Sequence, residues 1–346
     1  MRAIRDMLLI SLITFALGEV ALRVYHHFHP VFIFYDDSYD RFRAAPHSPY
    51  YSFRLNSHGF IDVEFAAAKG DQYRIIGIGD SFAFGVVPYE HNYLTLLEEI
   101  LRRGGEEIEL VNMGIPSIGP KEYLALLSGE GLELDPDLVL LSFFIGNDFH
   151  ESVREVHRNA VDYSYVASLL RYALSIRPHF NWRITQGNLE YDDEFPSLDP
   201  EPFLEIERWR SSICFQSIEK FTSLLGPSAS QIQEISRICR QRKIAFVVIL
   251  IPDEFQVNRD LQDAIIESLG IPREKTMVDF SRPNRMLGQE LDALGIEYLD
   301  LLPAFSDASR QARYYRLRDT HWNIAGNELA AEQIAEYLLA RRPPPR

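Results

Sequence analysis

Apolar positions along this chain alternate between short continuous runs and a helical period, and the alternation maps out most of a fold. Residues 74–79 form an apolar run ending in Gly-Asp-Ser, the pattern of a strand buried on both faces. Residues 92–103 then place Tyr93, Leu96, Leu97, Ile100 and Leu101 on one helix face. A second strand follows at 108–113, a helix at 120–127, and a third strand at 137–145, apolar almost throughout and closed by Gly146-Asn147-Asp148. After a long interruption the pattern predicts a helix at 228–242, a strand at 244–251, a helix at 283–294, a strand at 296–301 and a last helix at 324–339. Repeated strand–helix units predict an α/β domain over residues 71–341, with a central parallel sheet of about five strands covered by helices on both faces.

Other stretches break that rhythm. Arg2 and Arg5 precede an apolar stretch at 7–17, and Glu19 interrupts a hydrophobic continuation to Val24. Basic residues before a short apolar core resemble a signal peptide, with Ala16-Leu17-Gly18 as a small-x-small cleavage site. Read instead as one helix through Ala21 and Leu22, the same residues make roughly 18–20 positions, close to a membrane span. An uncleaved anchor over 1–24 is the favoured reading, ahead of a cleaved signal and of a buried amphipathic helix in a cytoplasmic protein. Anchor and signal both keep the N-terminus inside and export the rest, to the periplasm if the cell is Gram-negative.

Residues 25–70 have no clear period but many aromatics and turn formers: Phe32, Phe34, Tyr35, Tyr39, Phe42, Pro46, Pro49, Tyr50 and Tyr51, ending in Asn56-Ser57-His58-Gly59-Phe60. They lack the Gly/Ser composition of a flexible linker and are expected to connect the membrane to a globular body, packing along its edge. Residues 150–227, which include Trp182, Trp209 and Asp192-Asp193-Glu194, are too long for a plain loop. They predict a mostly helical insertion beside the third strand's C-terminal end, either a cap over a site there or a structural insertion away from it. The tail 341–346, rich in proline, is expected to fray.

Composition narrows the function classes. The 346 residues are 46% hydrophobic and 25% charged, ordinary for a globular chain with a substantial core. A formal net charge of −15 argues against a nucleic-acid partner, which needs a basic face. Cys214 and Cys239 show no metal spacing, and Cys239 shares an apolar side with Ile232, Ile235 and Ile238. Buried free thiols are expected rather than a disulfide. His26, His27 and His29 bunch without ligand geometry and no His-Glu-x-x-His occurs, so neither a metal nor another cofactor is expected.

In open α/β sheets function gathers at the C-terminal ends of strands. Three such ends here carry Gly79-Asp80-Ser81-Phe82, Asn112-Met113-Gly114 and Gly146-Asn147-Asp148, and Asp319-Thr320-His321-Trp322-Asn323 stands just before the last helix. Gly77-Ile78-Gly79 begins like a dinucleotide loop, but Phe82 occupies the third glycine's place and Asp80 would face a pyrophosphate. Ser81 alone reads as a helix cap as readily as a nucleophile. The combination says more. A serine hydroxyl needs a base, usually histidine, held by a third group, and His321 with Asp319 two residues earlier fits that need. The N–H groups of Ser81 and Gly114, with the Asn147 amide, would give three donors for an oxyanion hole.

The order Gly-Asp-Ser, glycine, Gly146-Asn147-Asp148 and a late Asp/His pair resembles the SGNH/GDSL hydrolases, over about residues 73–340 without most of 150–227. The resemblance implies a flavodoxin-like three-layer α/β/α arrangement, with Ser81 as nucleophile, Gly114 and Asn147 in the oxyanion hole, and Asp319 and His321 completing a triad. The commoner family spacing is Asp-x-x-His, whereas residue 318 here is arginine; Asp319-Thr320-His321-Trp322 is similar to the motif of alginate-type polysaccharide O-acetyltransferases in the same superfamily. Phe82 stands where the name motif has leucine. The N-terminus, the Asn-Ser-x-Gly-Phe element and Ile251-Pro252-Asp253-Glu254 resemble an exported, membrane-anchored bacterial branch of the family. That implies a carbohydrate-linked acyl ester as substrate, with the membrane and polysaccharide-assembly proteins as partners. Asp253, ending the fourth strand, is read as a helix cap ahead of a ligand for a sugar hydroxyl. The implied chemistry is acyl transfer through a serine ester, with water as acceptor in an esterase, a sugar hydroxyl in an O-acyltransferase, and an inactive polysaccharide-binding protein as the non-enzymatic alternative. The esterase is the leading reading.

Overall fold

The computed structural model of the chain describes residues 2–28, 39–104, 107–154, 163–175, 190–270 and 278–341. The first elements are α1 (Arg2–Phe28), the small antiparallel pair β1 (Pro49–Tyr50) and β2 (Phe53–Arg54), then β3 (Tyr73–Gly79), α2 (Ser81–Phe84), α3 (Tyr93–Arg103), β4 (Ile108–Gly114), α4 (Pro120–Gly129) and β5 (Leu138–Phe144). The inserted region contributes α5 (Asp148–Ser152), α6 (Tyr165–Ser175), α7 (Pro200–Phe215) and the start of α8 (Ile218–Arg242). The remainder is β6 (Ala245–Ile251), α9 (Glu254–Val257), α10 (Arg259–Ser268), α11 (Arg282–Ala293), β7 (Glu297–Asp300), α12 (Leu302–Ala308) and α13 (Ile324–Arg341). The expectations that fell on His29, Phe32, Phe34, Tyr35, Trp182 and the tail beyond Arg341 lie outside the described residues.

Five parallel strands form the central sheet in the order β4-β3-β5-β6-β7. Counted along the chain this is 2-1-3-4-5, the flavodoxin arrangement, and the strand order reverses between β3 and β5. In open α/β sheets ligands bind at the carboxyl ends beside such a reversal. Ile78 lies beside Leu141 across that pair, so the segments leaving β3 and β5 emerge side by side. Alternate side chains enter two cores. Ile76, Ile78, Val139, Leu141, Phe143, Val248 and Leu250 pack on one face with Cys214 and Cys239; Ile75, Leu138, Leu140, Val247, Ile249 and Ile251 pack on the other, against helices α3 and α13. Both cysteines are buried free thiols.

Helix α8 starts ten residues before the expected 228 and runs through Pro227. Proline removes one N–H and crowds the preceding turn. Here a Ser217 cap on the Lys220 N–H and a buried stripe of Phe221, Leu225, Ala229 and Ile232 carry the helix past it.

Residues 39–70 lie along the β4 edge of the sheet. Asn56 Oδ1 accepts from the N–H groups of His58 and Phe60, closing a turn in which Gly59 sits at φ 79°. Farther on, Asp62 Oδ2 accepts the Asn112 N–H at 2.7 Å. Helix α1 buries none of its residues, yet it touches the body at the start of α6. Glu19 accepts the N–H groups of Tyr165 and Val166, at 2.9 and 3.1 Å, and the Ser164 hydroxyl, capping the start of α6.

Candidate active site

Ser81 opens the four-residue helix α2 immediately after β3. Asp80 makes the turn: its buried side chain accepts the Phe82 N–H at 2.9 Å, and Ser81 is left half-buried. Burial pushes the Asp80 carboxyl up, while the Phe82 N–H, His321 and Arg210 act against it. His321 arrives on a tight hairpin closed by an antiparallel bridge between Tyr315 and Trp322 and by Arg316 N–H donating to the His321 carbonyl at 3.0 Å. Arg318, at φ 48°, turns its tip. Asp319 Oδ1 then receives the His321 N–H at 3.2 Å and lies 2.6 Å from His321 Nδ1, so a one-residue gap suffices where the chain folds into this turn.

His321 Nε2 stands 2.8 Å from Ser81 Oγ. With the imidazole proton on Nδ1, facing the carboxylate, Nε2 accepts from the hydroxyl. Phe82 supports the ring at 5.2 Å between centroids and also meets Trp322 and Phe144; Trp322 stacks on Phe305 at 4.9 Å. Burial alone would raise Asp319. His321, Arg316 and the Ser197 hydroxyl outweigh it and hold the carboxyl well below the usual carboxylate range, so it stays ionised at neutral pH.

The structure thus brings Ser81, His321 and Asp319 together. Asn147 follows β5 and makes no side-chain hydrogen bond among the described residues; its Oδ1 is buried. The Ser81 N–H, in the first turn of α2, has no partner among the described residues either. Gly114 is a correction. Ile115 N–H donates to the Gly79 carbonyl, so by the alternation of a parallel strand the Gly114 N–H points off the sheet's outer edge, away from β3. Asn112 Oδ1 takes it there at 2.8 Å. Gly114 has a different importance: a Cβ on it would overlap the backbone nitrogen of Phe84, so α2 sits where it does only over a glycine.

Asp253 is the second correction. Its side chain is 0% exposed, walled in by Gly146 and by Arg210 and Glu207 of α7, with Arg210 Nη1 3.6 Å from its Oδ2, and no sugar hydroxyl can reach it. It precedes α9, where Gln256 accepts the Asp253 N–H at 3.0 Å.

Parts of the insertion lie beside the site. Arg210 lies 5.1 Å from the Phe144 ring, and Trp209 stacks on His150, three residues past Asn147, at 4.7 Å. The segment before α7 braces the hairpin: Ser197 donates its hydroxyl to Asp319 Oδ2 and its N–H to the Leu317 carbonyl, and Asp193 accepts from Asn323. Sequence reasoning passed over Ser197, because a lone serine 122 positions from its partner leaves no pattern. Among the described residues no group of three or more His, Cys, Asp or Glu is placed to hold a metal.

A parallel sheet of order 2-1-3-4-5 holds a Ser–His–Asp relay at its switch point, an arrangement that fits an esterase or O-acyltransferase. More narrowly, residues 225–345 match the family model described as an SGNH hydrolase-like domain, acetyltransferase AlgX; the matched stretch contains Asp319 and His321. Similar solved structures include the acetyl xylan esterase AlAXEase, at 15% identity and TM-score 0.43, covering 77% of this chain and 99% of that one. A lipase/acylhydrolase from Enterococcus faecalis aligns at 15% identity and TM-score 0.43, over 80% of this chain and 100% of its own. Axe2, an acetylxylan esterase from Geobacillus stearothermophilus, aligns at 14% identity and TM-score 0.42, over 77% and 94%. No curated protein matches the chain.

Proposed function

We propose that the protein transfers an acyl group from an ester through a covalent intermediate on Ser81, and that the acceptor is a carbohydrate hydroxyl at the outer face of the membrane that holds α1. The observation carrying the first step is the relay of 2.8 and 2.6 Å from Ser81 through His321 to Asp319. As Ser81 Oγ attacks the carbonyl carbon, its proton passes to His321 Nε2. The Ser81 N–H and the Asn147 amide receive the oxyanion. Collapse of the tetrahedral intermediate breaks the ester C–O bond, and His321 protonates the departing alkoxide. An acceptor hydroxyl then gives its proton to His321 as it attacks the acyl-serine, and collapse of the second tetrahedral intermediate expels Ser81 Oγ, which takes that proton back from His321. Water in that place makes the same protein an esterase.

The match to an acetyltransferase model supports an acetyl group and transfer to an acceptor other than the water that the sequence alone favours. Anchoring is supported by α1, whose 27 residues span about 40 Å against a hydrocarbon core of about 30 Å. Arg2 and Arg5 favour an N-terminus on the inner side.

Full-length protein in detergent, treated with a fluorophosphonate probe, should be labelled, and Ser81→Ala should not. With an acetyl ester donor and an oligosaccharide acceptor, Ser81→Ala should lose at least about 10³-fold in turnover. Mass spectrometry of the products separates acetylated sugar from free acetate. Equal turnover by Ser81→Ala would refute the nucleophile; acetate alone, whatever the acceptor concentration, would return the acceptor to water.

A further inference from the structure

Helix α6 poses a puzzle for a soluble insertion. Its residues Val166, Leu169, Leu170, Ala173 and Leu174 recur at i, i+3, i+4, i+7 and i+8, a continuous apolar stripe on one face. Such a stripe normally faces a core. Here Leu169, Leu170 and Leu174 are 37%, 58% and 87% exposed, while Ser168, on the other side of the helix, is buried. The stripe is inverted relative to the body.

What the stripe adjoins is α1. Val166 starts it in contact with Gly18, where a Cβ on the glycine would come within 3.3 Å of Val166 Cγ2. The pairing runs in order: Arg23 donates to the Tyr163 carbonyl, Glu19 caps Tyr165 and Val166, and Gly18 meets Val166. Entering α6 therefore means moving along α1 from its polar end, with Arg23, His26 and His27, toward its apolar stretch. Arg23 also lies over the Tyr165 ring at 4.5 Å, and Tyr25 and Tyr163 are exposed at this level. Tyrosines and an arginine beside an apolar stretch are the composition of a membrane–water boundary. Glu19, out of place in a spanning helix, is accounted for: its carboxylate satisfies the first N–H groups of α6.

We propose that α6 is a second membrane-contacting element, lying in the lipid interface with Leu169, Leu170 and Leu174 among the acyl chains and joined to α1 through Glu19. The partner is the phospholipid bilayer itself. Apolar surface leaving water gains roughly 25 cal/mol per Å², and a helix apolar on one side only settles at the interface rather than crossing it. The insertion, whose Ser197 bonds Asp319, is then fixed to the membrane surface at two points. This inference rests on α1 being an anchor.

The test uses the full chain reconstituted in phosphatidylcholine–phosphatidylglycerol vesicles. Leu9→Cys in α1, Leu170→Cys and Leu174→Cys in α6, and Glu336→Cys on an exposed position of α13 each receive a bimane fluorophore; buried Cys214 and Cys239 set the background measured on the unsubstituted chain. Lipid carrying a doxyl quencher should dim positions 9, 170 and 174 by roughly twofold or more and leave 336 unchanged, as burial in the acyl boundary requires. Dimming at 9 with 170 and 174 behaving like 336 would overturn the placement of α6 and leave the anchor standing. No dimming at any position would overturn both.

Discussion

Asp319 holds His321 with one oxygen and is itself held through the other. Replacing Asp319 by asparagine keeps the shape but puts a donor or a neutral acceptor against Nδ1, so the imidazole loses its orientation and tautomer preference; kcat should fall by about 10²–10⁴ with KM little changed. Ser197→Ala removes a hydrogen bond to a buried carboxylate, worth about 1.5–3 kcal/mol, and part of that loss should appear as roughly a tenfold drop in kcat/KM, largely recovered in Ser197→Thr. Steady-state kinetics on an acetyl ester check both; an unchanged Ser197→Ala would deny it a role in positioning Asp319. At this scale the meeting of Ser81, Asp319 and His321 was legible, because each sits in a short motif at a predicted strand end or turn. Gly114 was misread, since a sequence does not say which way a strand-end N–H points until the pairing register is known. Asp253 was assigned from its strand end alone, before α7 was known to lie over it.

Among the elements, α2 shows how tightly the seat of Ser81 depends on its neighbours. Gly114 stands under the backbone of Ala83 and Phe84, and a methyl group there has no flexible side chain to displace. Gly114→Ala should shift α2 bodily, lower stability by about 1–3 kcal/mol and reduce fluorophosphonate labelling of Ser81 while the serine is still present. A variant as stable and as reactive as the parent would mean that α2 relaxes freely. The five central strands and the helices between them were readable, because buried parallel strands are short apolar runs and their helices carry one apolar stripe. Less was readable of the inserted region. Its stripe on α6 is as regular as that of α3, and periodicity alone does not distinguish a face turned to a core from one turned to solvent or lipid.

For the molecule as a whole, buried carboxyls govern how stability responds to pH. Burial pushes Glu254 up to about 7, with Asp253 and Asp319 adding to the effect and Asn258 and Arg313 opposing it; Asp62 is likewise pushed up by burial to about 7. Each group is protonated in both states below its ordinary pKa, near 4.5 for Glu254. As pH rises from there to about 7 the unfolded chain releases the proton first, so the folded state loses stability, and above about 7 the loss is complete. Glu254→Gln keeps an acceptor for Asn258 and has no proton to lose. Its Tm relative to the parent should therefore climb between pH 5 and pH 7.5, by an amount equivalent to on the order of 1–3 kcal/mol, and a constant difference in calorimetry would refute the assignment.

The edge of the sheet carries a last consequence. Among the described residues strand β4 has no neighbour beyond it, and three of its outward N–H groups are met by side chains: Leu110 by Glu98, Asn112 by Asp62 and Gly114 by Asn112. An open row of such donors is a template for pairing with another chain and a starting point for aggregation. Asp62 belongs to the stretch that the sequence presents as a connector packed along the body's edge. A chain begun at residue 71 would leave the middle donor uncovered and lend the sheet an adhesive border, so the smallest self-sufficient enzyme begins upstream of the strands that carry its chemistry.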